Sequence, residues 1–186
     1  MESLTSVVGA AQEGSEEAFS CLFRALNPQI LRYLRHHAGA AAEDLAAETW
    51  LAVANGFDRF AGDDGDFRSW LFSIARRRVV DHFRREHRRP RTVALGAVDA
   101  VAPGGDFQAD VVGAMSAERA VEILVRDLPA DQAEVVVLRV VGGLDVDEVA
   151  RILGRTPGWV RVAQHRALRR MRERHDHREL RLAVTA

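Results

Sequence analysis

Between residues 90 and 115 the chain loses the helical period that governs it on both sides, and this break decides the architecture. The stretch PRTVALGAVDAVAPGGDFQADVVGAM holds Pro90 and the triplet Pro103-Gly104-Gly105, residues that end helices and open turns. In a chain of 186 residues such a break leaves two small units rather than one large core. The expected fold is all-α. Two small helical domains, 15–89 and 116–182, are joined by a flexible linker over 90–115, and the second contains a helix-turn-helix.

In the first half, Ser15 is placed to cap a helix beginning EEAFSCLFRAL, with Glu16 and Glu17 in the turn where the helix dipole favours acids. Phe19, Leu22, Phe23 and Leu26 recur at helical spacing. Asn27-Pro28 predicts an interruption, followed by a second helical stretch, QILRYLRHHAG, that stops at Gly39. A third helix is expected from Ala42 to Phe60, with Leu45, Thr49, Ala52, Val53 and Phe57 on its buried side. The loop AGDDGD follows. The next segment, FRSWLFSIARRRVVDHFRREHRR, reads as a long helix with Ile74, Val79, Val80 and Phe83 inward and Arg76, Arg77, Arg84, His87 and Arg88 outward. In the second half, helical patterning resumes at Ser116 with SAERAVEILVRDL, and Leu128-Pro129 opens a helix that ends at Gly142-Gly143.

The most specific local signal lies in LDVDEVARILGRTPGWVRVAQHRALRRM, residues 144–171. Asp145 with Glu148 three residues on forms a capping-box pattern. Val149, Ile152 and Leu153 supply an apolar face, and Gly154 suits the position past a helix end, where positive φ is needed. Thr156 then caps a second helix that opens with Pro157. One short turn between two capped helices is a helix-turn-helix. At about 100° per residue, Val160, Ala163, Ala167 and Met171 of the second helix face inward. Gly158, Arg161, Val162, His165, Arg166 and Arg169 share the other face. Arg161, Val162 and His165 are expected at base edges, and Arg155, Arg166, Arg169 and Arg170 at phosphates. The plainer alternative is a helical hairpin with a solvated charged face.

Charge alternates in four blocks. Residues 1–66 carry net −7, 67–98 net +7, 99–148 net −8 and 149–186 net +7. All 26 basic residues are arginine, whose planar fork grips phosphates and guanine edges. Two basic surfaces on a chain of net charge −1 point to two contacts with one polyanion, with acidic surfaces turned elsewhere. Around the first basic block, FRSWLF sets aromatics beside arginines, the combination that holds unstacked bases of single-stranded DNA. Phe67, Trp70 and Phe72 equally suit a core.

Other chemistries find little footing. Cys21 is the single cysteine, which excludes an internal disulfide and a multi-cysteine zinc site. His175-Asp176-His177 has no further clustered ligand to make a metal centre. There is no glycine-rich phosphate loop, nucleophile elbow or matched carboxylate pair, so neither a cofactor nor catalysis is expected. The N-terminus lacks the basic start and apolar core of a signal peptide, and no apolar run of about 18 residues exists. A cytoplasmic protein is expected.

Three segments, in order and at matching spacing, resemble a bacterial RNA polymerase sigma factor of the extracytoplasmic-function class in the sigma-70 family. AEDLAAETWLAVANGFDRF is similar to the region-two segment written near D-L-V-Q-E-T-F. FRSWLFSIARRRVVDHFRR resembles F-R-x-W-L-x-x-I-A-R-N-x-x-x-D-x-x-R-R, and LPADQAEVVVLRVVGGLDVDEVARILGRTPGWVRVAQHRALRRMR resembles region four. The resemblance implies that region two docks on core RNA polymerase through Asp44, Leu45, Glu48, Thr49 and Trp50. It implies that the minus-ten element is melted and captured by Asp63, Asp66, Phe67, Arg68, Trp70, Arg76, Arg77 and Arg84. Region four would read the minus-thirty-five element of promoter DNA as duplex through the helix-turn-helix face. The linker, with Asp99, Asp106 and Asp110, would thread toward the polymerase cleft. An anti-sigma factor is an implied partner. This chain departs from the family pattern with Ala47 for the usual glutamine, Arg77 for the usual asparagine, and Trp159, Val162 and Ala163 for smaller or more polar residues. Two rival readings are a freestanding helix-turn-helix regulator, dimeric on a palindrome with half-sites roughly 34–36 Å apart, and a protein-only adaptor.

Overall fold

The structure, a computed structural model, describes residues 4–62, 64–88, 125–126 and 128–184, the side chains of 4–6, 64–65, 87–88 and 175–184 excepted. The expected linker over 90–115, and the helix expected from Ser116 up to residue 124, lie outside the described residues. Every regular element described is helical.

A helix ahead of Ser15, α1 (Leu4–Gln12), buries Val8 and Ala11 against α2 (Glu16–Ala38). Its last residue is anchored in turn, since Gln12 Nε2 donates to the carbonyls of Phe57 and Phe60 at 3.2 and 2.6 Å. Ser15 caps α2, its hydroxyl accepting from Ala18 N at 3.2 Å. The interruption expected at Asn27-Pro28 does not occur, and α2 runs through Pro28 as one 23-residue helix. Proline inside a helix costs about 3 kcal/mol. Leu22, Leu26, Ile30, Tyr33 and Leu34 keep helical spacing across it, all buried, and that continuous face outweighs the lost backbone bond. Asn27 adds a tie by accepting from Trp50 Nε1 at 3.0 Å.

A 3-10 turn over Gly39–Ala41 leads into α3 (Ala42–Gly56), and a second over Phe57–Arg59 ends it. Leu45, Thr49, Val53 and Phe57 are buried as expected, while Ala52 is half-buried and Ala46 and Trp50 take inward places. Helix α4 (Asp64–Arg88) begins three residues earlier than the expected loop allows. Its buried face is Phe67, Leu71, Phe72, Ala75 and Val79. Ile74 and Val80 are half-buried, and Phe83 is exposed rather than inward. Phe83 lies three turns past the buried Phe72 and on nearly the same side of the helix, so its exposure reflects cover that does not reach the end of α4 rather than helical phase.

The C-terminal helices are α5 (Ala130–Val140), α6 (Val146–Leu153) and α7 (Pro157–Val184). They pack on one another, and α6 also packs on α4. The buried apolar residues of both halves form one contiguous cluster. Gly142 lies at the junction, where a Cβ would stand 2.6 Å from Leu138 O and 3.1 Å from Phe72 Cε1. Only a residue without a side chain permits that approach.

Candidate nucleic-acid interface

The helix-turn-helix forms as its caps require. Asp145 Oδ1 accepts from Glu148 N at 2.8 Å, and Glu148 Oε2 accepts from Asp145 N at 2.6 Å, which completes the capping box. Gly154 takes φ 62° and ψ 39°, the left-handed conformation that ends α6. Thr156 Oγ1 accepts from Trp159 N at 3.2 Å and opens α7. Val160, Ala163 and Ala167 are buried and Met171 packs beside them. Gly158, Arg161, Val162, His165, Arg166 and Arg169 are exposed, so the predicted outer face is brought together on one side of α7. The two flanking arginines are held differently. Arg155 lies over the Trp159 ring at 5.2 Å from its centroid, and Arg170 Nη1 donates to Gln132 Oε1 at 2.8 Å.

The minus-ten set is divided by the fold. Phe67 is 1% exposed, with its ring 5.5 Å from both Phe57 and Phe60, so it belongs to the core and cannot stack a base as it stands. Trp70 is half-buried, tilted 30° to Phe60 at 5.2 Å. Asp63 lies outside the described residues. Arg77 and Arg84 are exposed, and Arg84 lies 3.6 Å from Asp81. The polymerase-docking set is divided as well. Leu45, Thr49 and Trp50 are buried, with Thr49 Oγ1 donating to Leu45 O at 2.7 Å. Asp44 and Glu48 reach the surface, beside a cavity of about 490 Å³ shared with His82 and Arg85. Glu48 stands 3.8 Å from both Arg78 and Arg85.

The remaining members of the minus-ten set contact the C-terminal half. Arg68 places Nη1 3.4 Å from Glu148 Oε1 and donates through Nη2 to Gly143 O at 2.9 Å. Arg76 Nε donates to Glu134 Oε1 at 3.3 Å. Asp66 accepts from Arg151 Nη1 at 2.8 Å, while Arg151 Nε donates to Ser69 Oγ at 3.1 Å. Glu134 is the hub, because Tyr33 OH also donates to its Oε1 at 2.9 Å and His37 Nε2 lies 3.4 Å from its Oε2 without hydrogen-bond alignment. Burial, with help from the Glu134 carboxylate, holds the Tyr33 phenol well above its ordinary range. Burial pushes the His37 imidazole down, against a smaller upward pull from Glu134. No local pattern in the sequence marks Glu134 or Arg151, and the spacing of Glu148 signals only a helix cap. The signal available for them was the acidic block at 99–148 following the basic block at 67–98. The acids expected to turn elsewhere turn onto those arginines.

Among the described residues no helix is long and apolar enough to cross a membrane. Residues 22–89 match the family model for sigma-70 region 2, and residues 119–171 match that for sigma-70 region 4. The chain is 35% identical to the ECF RNA polymerase sigma factor ShbA of Streptomyces griseus, over 90% of this chain and 95% of that protein. It is 33% identical to the ECF sigma factor SigD of Mycobacterium tuberculosis, over 92% and 84%. With BldN of Streptomyces coelicolor it shares 33% identity over 89% of its own length but spans only 63% of that relative. In fold it is similar to CnrH, solved in complex with the cytosolic domain of CnrY, with a TM-score of 0.66 at 19% identity over 95% of this chain and 99% of that one. It is also similar to the sigma factor RpoE of Bartonella quintana, solved with the anti-sigma factor NepR, with a TM-score of 0.63 at 22% identity over 83% and 94%. Two sigma-70 regions in order, helical throughout the described residues, and this identity to ShbA and SigD over most of both chains place this chain in the extracytoplasmic-function class of RNA polymerase sigma factors.

Proposed function

We propose that this chain binds core RNA polymerase and directs promoter-specific initiation, through domains spanning 15–89 and 116–182. The observation that carries the reading is the face of α7, where Gly158, Arg161, Val162, His165, Arg166 and Arg169 stand exposed together on a doubly capped helix-turn-helix. That face takes the minus-thirty-five element as duplex, with its N-terminal residues at base edges and Arg155, Arg166, Arg169 and Arg170 at phosphates. Region two takes the minus-ten element as melted strand through Asp63, Asp66, Arg68, Trp70, Arg76, Arg77 and Arg84, with Phe67 supporting the loop from below. Capture of flipped bases offsets unstacking, which costs a few kcal/mol. Asp44 and Glu48 offer the polar contacts to polymerase, set by Leu45, Thr49 and Trp50 behind them. The chain acts in the cytoplasm, performs no catalysis of its own, and answers to an anti-sigma factor. That partner is in keeping with the RpoE and NepR complex, which concerns a relative in fold. The relatives lend no support to a freestanding dimeric regulator.

The test is transcription by core polymerase with and without this protein, after mapping of start sites induced by its overproduction. Mapped starts should share two upstream elements that the purified mixture reproduces. Failure to bind core polymerase at low salt would end the proposal.

A further inference from the structure

Arg155, in the turn of the helix-turn-helix, is held at both ends. Its backbone N–H donates to Ala150 O at 2.9 Å, directly after the left-handed Gly154. Its guanidinium lies over the Trp159 ring, 5.2 Å from the centroid. The ring quadrupole attracts the cation, and the apolar stem lies along the ring while the charged head stays in water. Trp159 is fixed in turn. Its N–H donates to Thr156 Oγ1 at 3.2 Å, and its half-buried indole packs against the core. The turn itself does not need so large a ring, because the caps at Asp145, Gly154 and Thr156 close it through backbone and short side chains. Among the described residues no ion pair joins Arg155 to an acid, so its charge is left for an outside anion. The outer side is open. A Cβ at Gly158 would meet nothing nearer than Thr156 Oγ1 at 4.0 Å, and both Gly158 and Val162 are exposed on the neighbouring turns of α7. Nothing within the fold calls for glycine at 158, although glycine weakens a helix, and bare backbone there suits a close approach from outside.

We infer that Trp159 is a positioning residue, which lays Arg155 at the head of α7 as a preformed grip for one phosphate of the duplex beside the minus-thirty-five bases. The inference deepens the reading of α7 given above and rests on it. An unsupported arginine must order its long side chain when it meets DNA. The stack on Trp159 has already ordered it, so less freedom is lost on binding. Arg155 remains exposed, and its planar fork matches two oxygens of one phosphate. A phosphate held at the start of α7 fixes how that helix enters the groove, so that Arg161, Val162 and His165 reach base edges in one register.

The test is a double-mutant cycle on the full chain, read by fluorescence anisotropy with a labelled mixed-sequence DNA duplex of about 20 base pairs at low salt. Phosphate contacts are indifferent to sequence, so no promoter need be known. Trp159→Leu and Arg155→Ala should each weaken binding about fivefold, and the double variant should bind no worse than Arg155→Ala alone. Trp159→Leu should also flatten the salt dependence, although it removes no charge. Trp159→Phe keeps an aromatic face and should stay within about twofold of wild type. Arg155→Lys keeps the charge but loses the planar fork, and should bind about threefold more weakly. A full further loss from Trp159→Leu in the Arg155→Ala background overturns the inference, because the ring would then act on the fold and not through Arg155. Wild-type affinity in Arg155→Ala or Arg155→Lys overturns it as well, and that readout holds even where Trp159→Leu loses helicity. Association with core polymerase is measured on the same proteins. If the two residues are coupled while the wild type never associates with polymerase, the sigma reading fails and the grip on duplex stands. If polymerase binding holds while the cycle is additive, the grip alone fails.

Discussion

Helices α4 and α7 are the two arginine-rich helices of the molecule, and their arginines meet different neighbours. On α4, Arg68 and Arg76 reach acids of α6 and α5, Arg78 and Arg85 lie near Glu48 on α3, and Arg84 lies near Asp81. On α7, Arg169 pairs with Glu173 of its own helix. Among the described residues no ion pair joins Arg161 or Arg166 to an acid. The surrounding blocks carry the same net charge, +7, so charge alone does not separate them. What separates them is packing. Helix α4 is covered by neighbours along much of its length, whereas α7 buries one stripe and leaves a face free. An arginine helix is open to a polyanion only where the fold has not already supplied one.

Four experiments break or sharpen this comparison, beginning with the largest effect. Phe72 is fully buried on α4, 5.6 Å from the Tyr33 ring and against the Gly142 backbone. Phe72→Ala should cost about 3–5 kcal/mol in denaturant unfolding, and the loss should extend to the α7 half. A second transition left at its wild-type midpoint would show that the halves do not share stability. Gly142→Ala adds a methyl 2.6 Å from Leu138 O, and should cost about 1–3 kcal/mol while enlarging the radius of gyration seen by small-angle X-ray scattering. An unchanged radius would mean that this turn does not set the junction.

On α7, Arg161→Ala should relax discrimination at one upstream base by about 1–3 kcal/mol in competitive transcription or binding assays. Arg169→Ala should instead weaken all upstream sequences alike and lower the salt slope by about one. Equal losses on every sequence from both changes would erase the division between reading and gripping. The smallest effect is on pH. Half-buried beside Tyr33 and His36 on α2, Arg76 on α4 and Glu134 on α5, His37 favours its neutral ring. Its contribution therefore stands above about pH 6.5, the ordinary histidine value, and is lost as the pH falls toward the lowered one. The denaturation midpoint should drop between about pH 7.5 and about pH 5.5, and His37→Gln should lessen that drop. An identical drop in the variant would assign it to other groups.

Local chemistry made the helix-turn-helix legible. Asp145, Glu148, Gly154, Thr156 and Pro157 act within a few residues of themselves, so their spacing along the chain already states their geometry. The exposed face of α7 followed from the same helical period. Pro28 was misleading because its cost is local and its compensation is not. The stripe from Leu22 to Leu34 outweighs it only once α3 and α4 lie against it. Phe67 came out buried because Phe57 and Phe60 close over the start of α4, and Phe83 came out exposed because that cover does not extend to the far end of the same face.

By itself, then, the order of residues determined that this protein is helical, where its reading helix starts and which side of that helix carries arginine. Those properties depend on hydrogen bonds and periods spanning a few residues. Only the tertiary structure decided that Glu134 and Glu148 settle on Arg76 and Arg68, because those partners stand 58 and 80 positions apart and meet only when α5 and α6 fold back along α2 and α4.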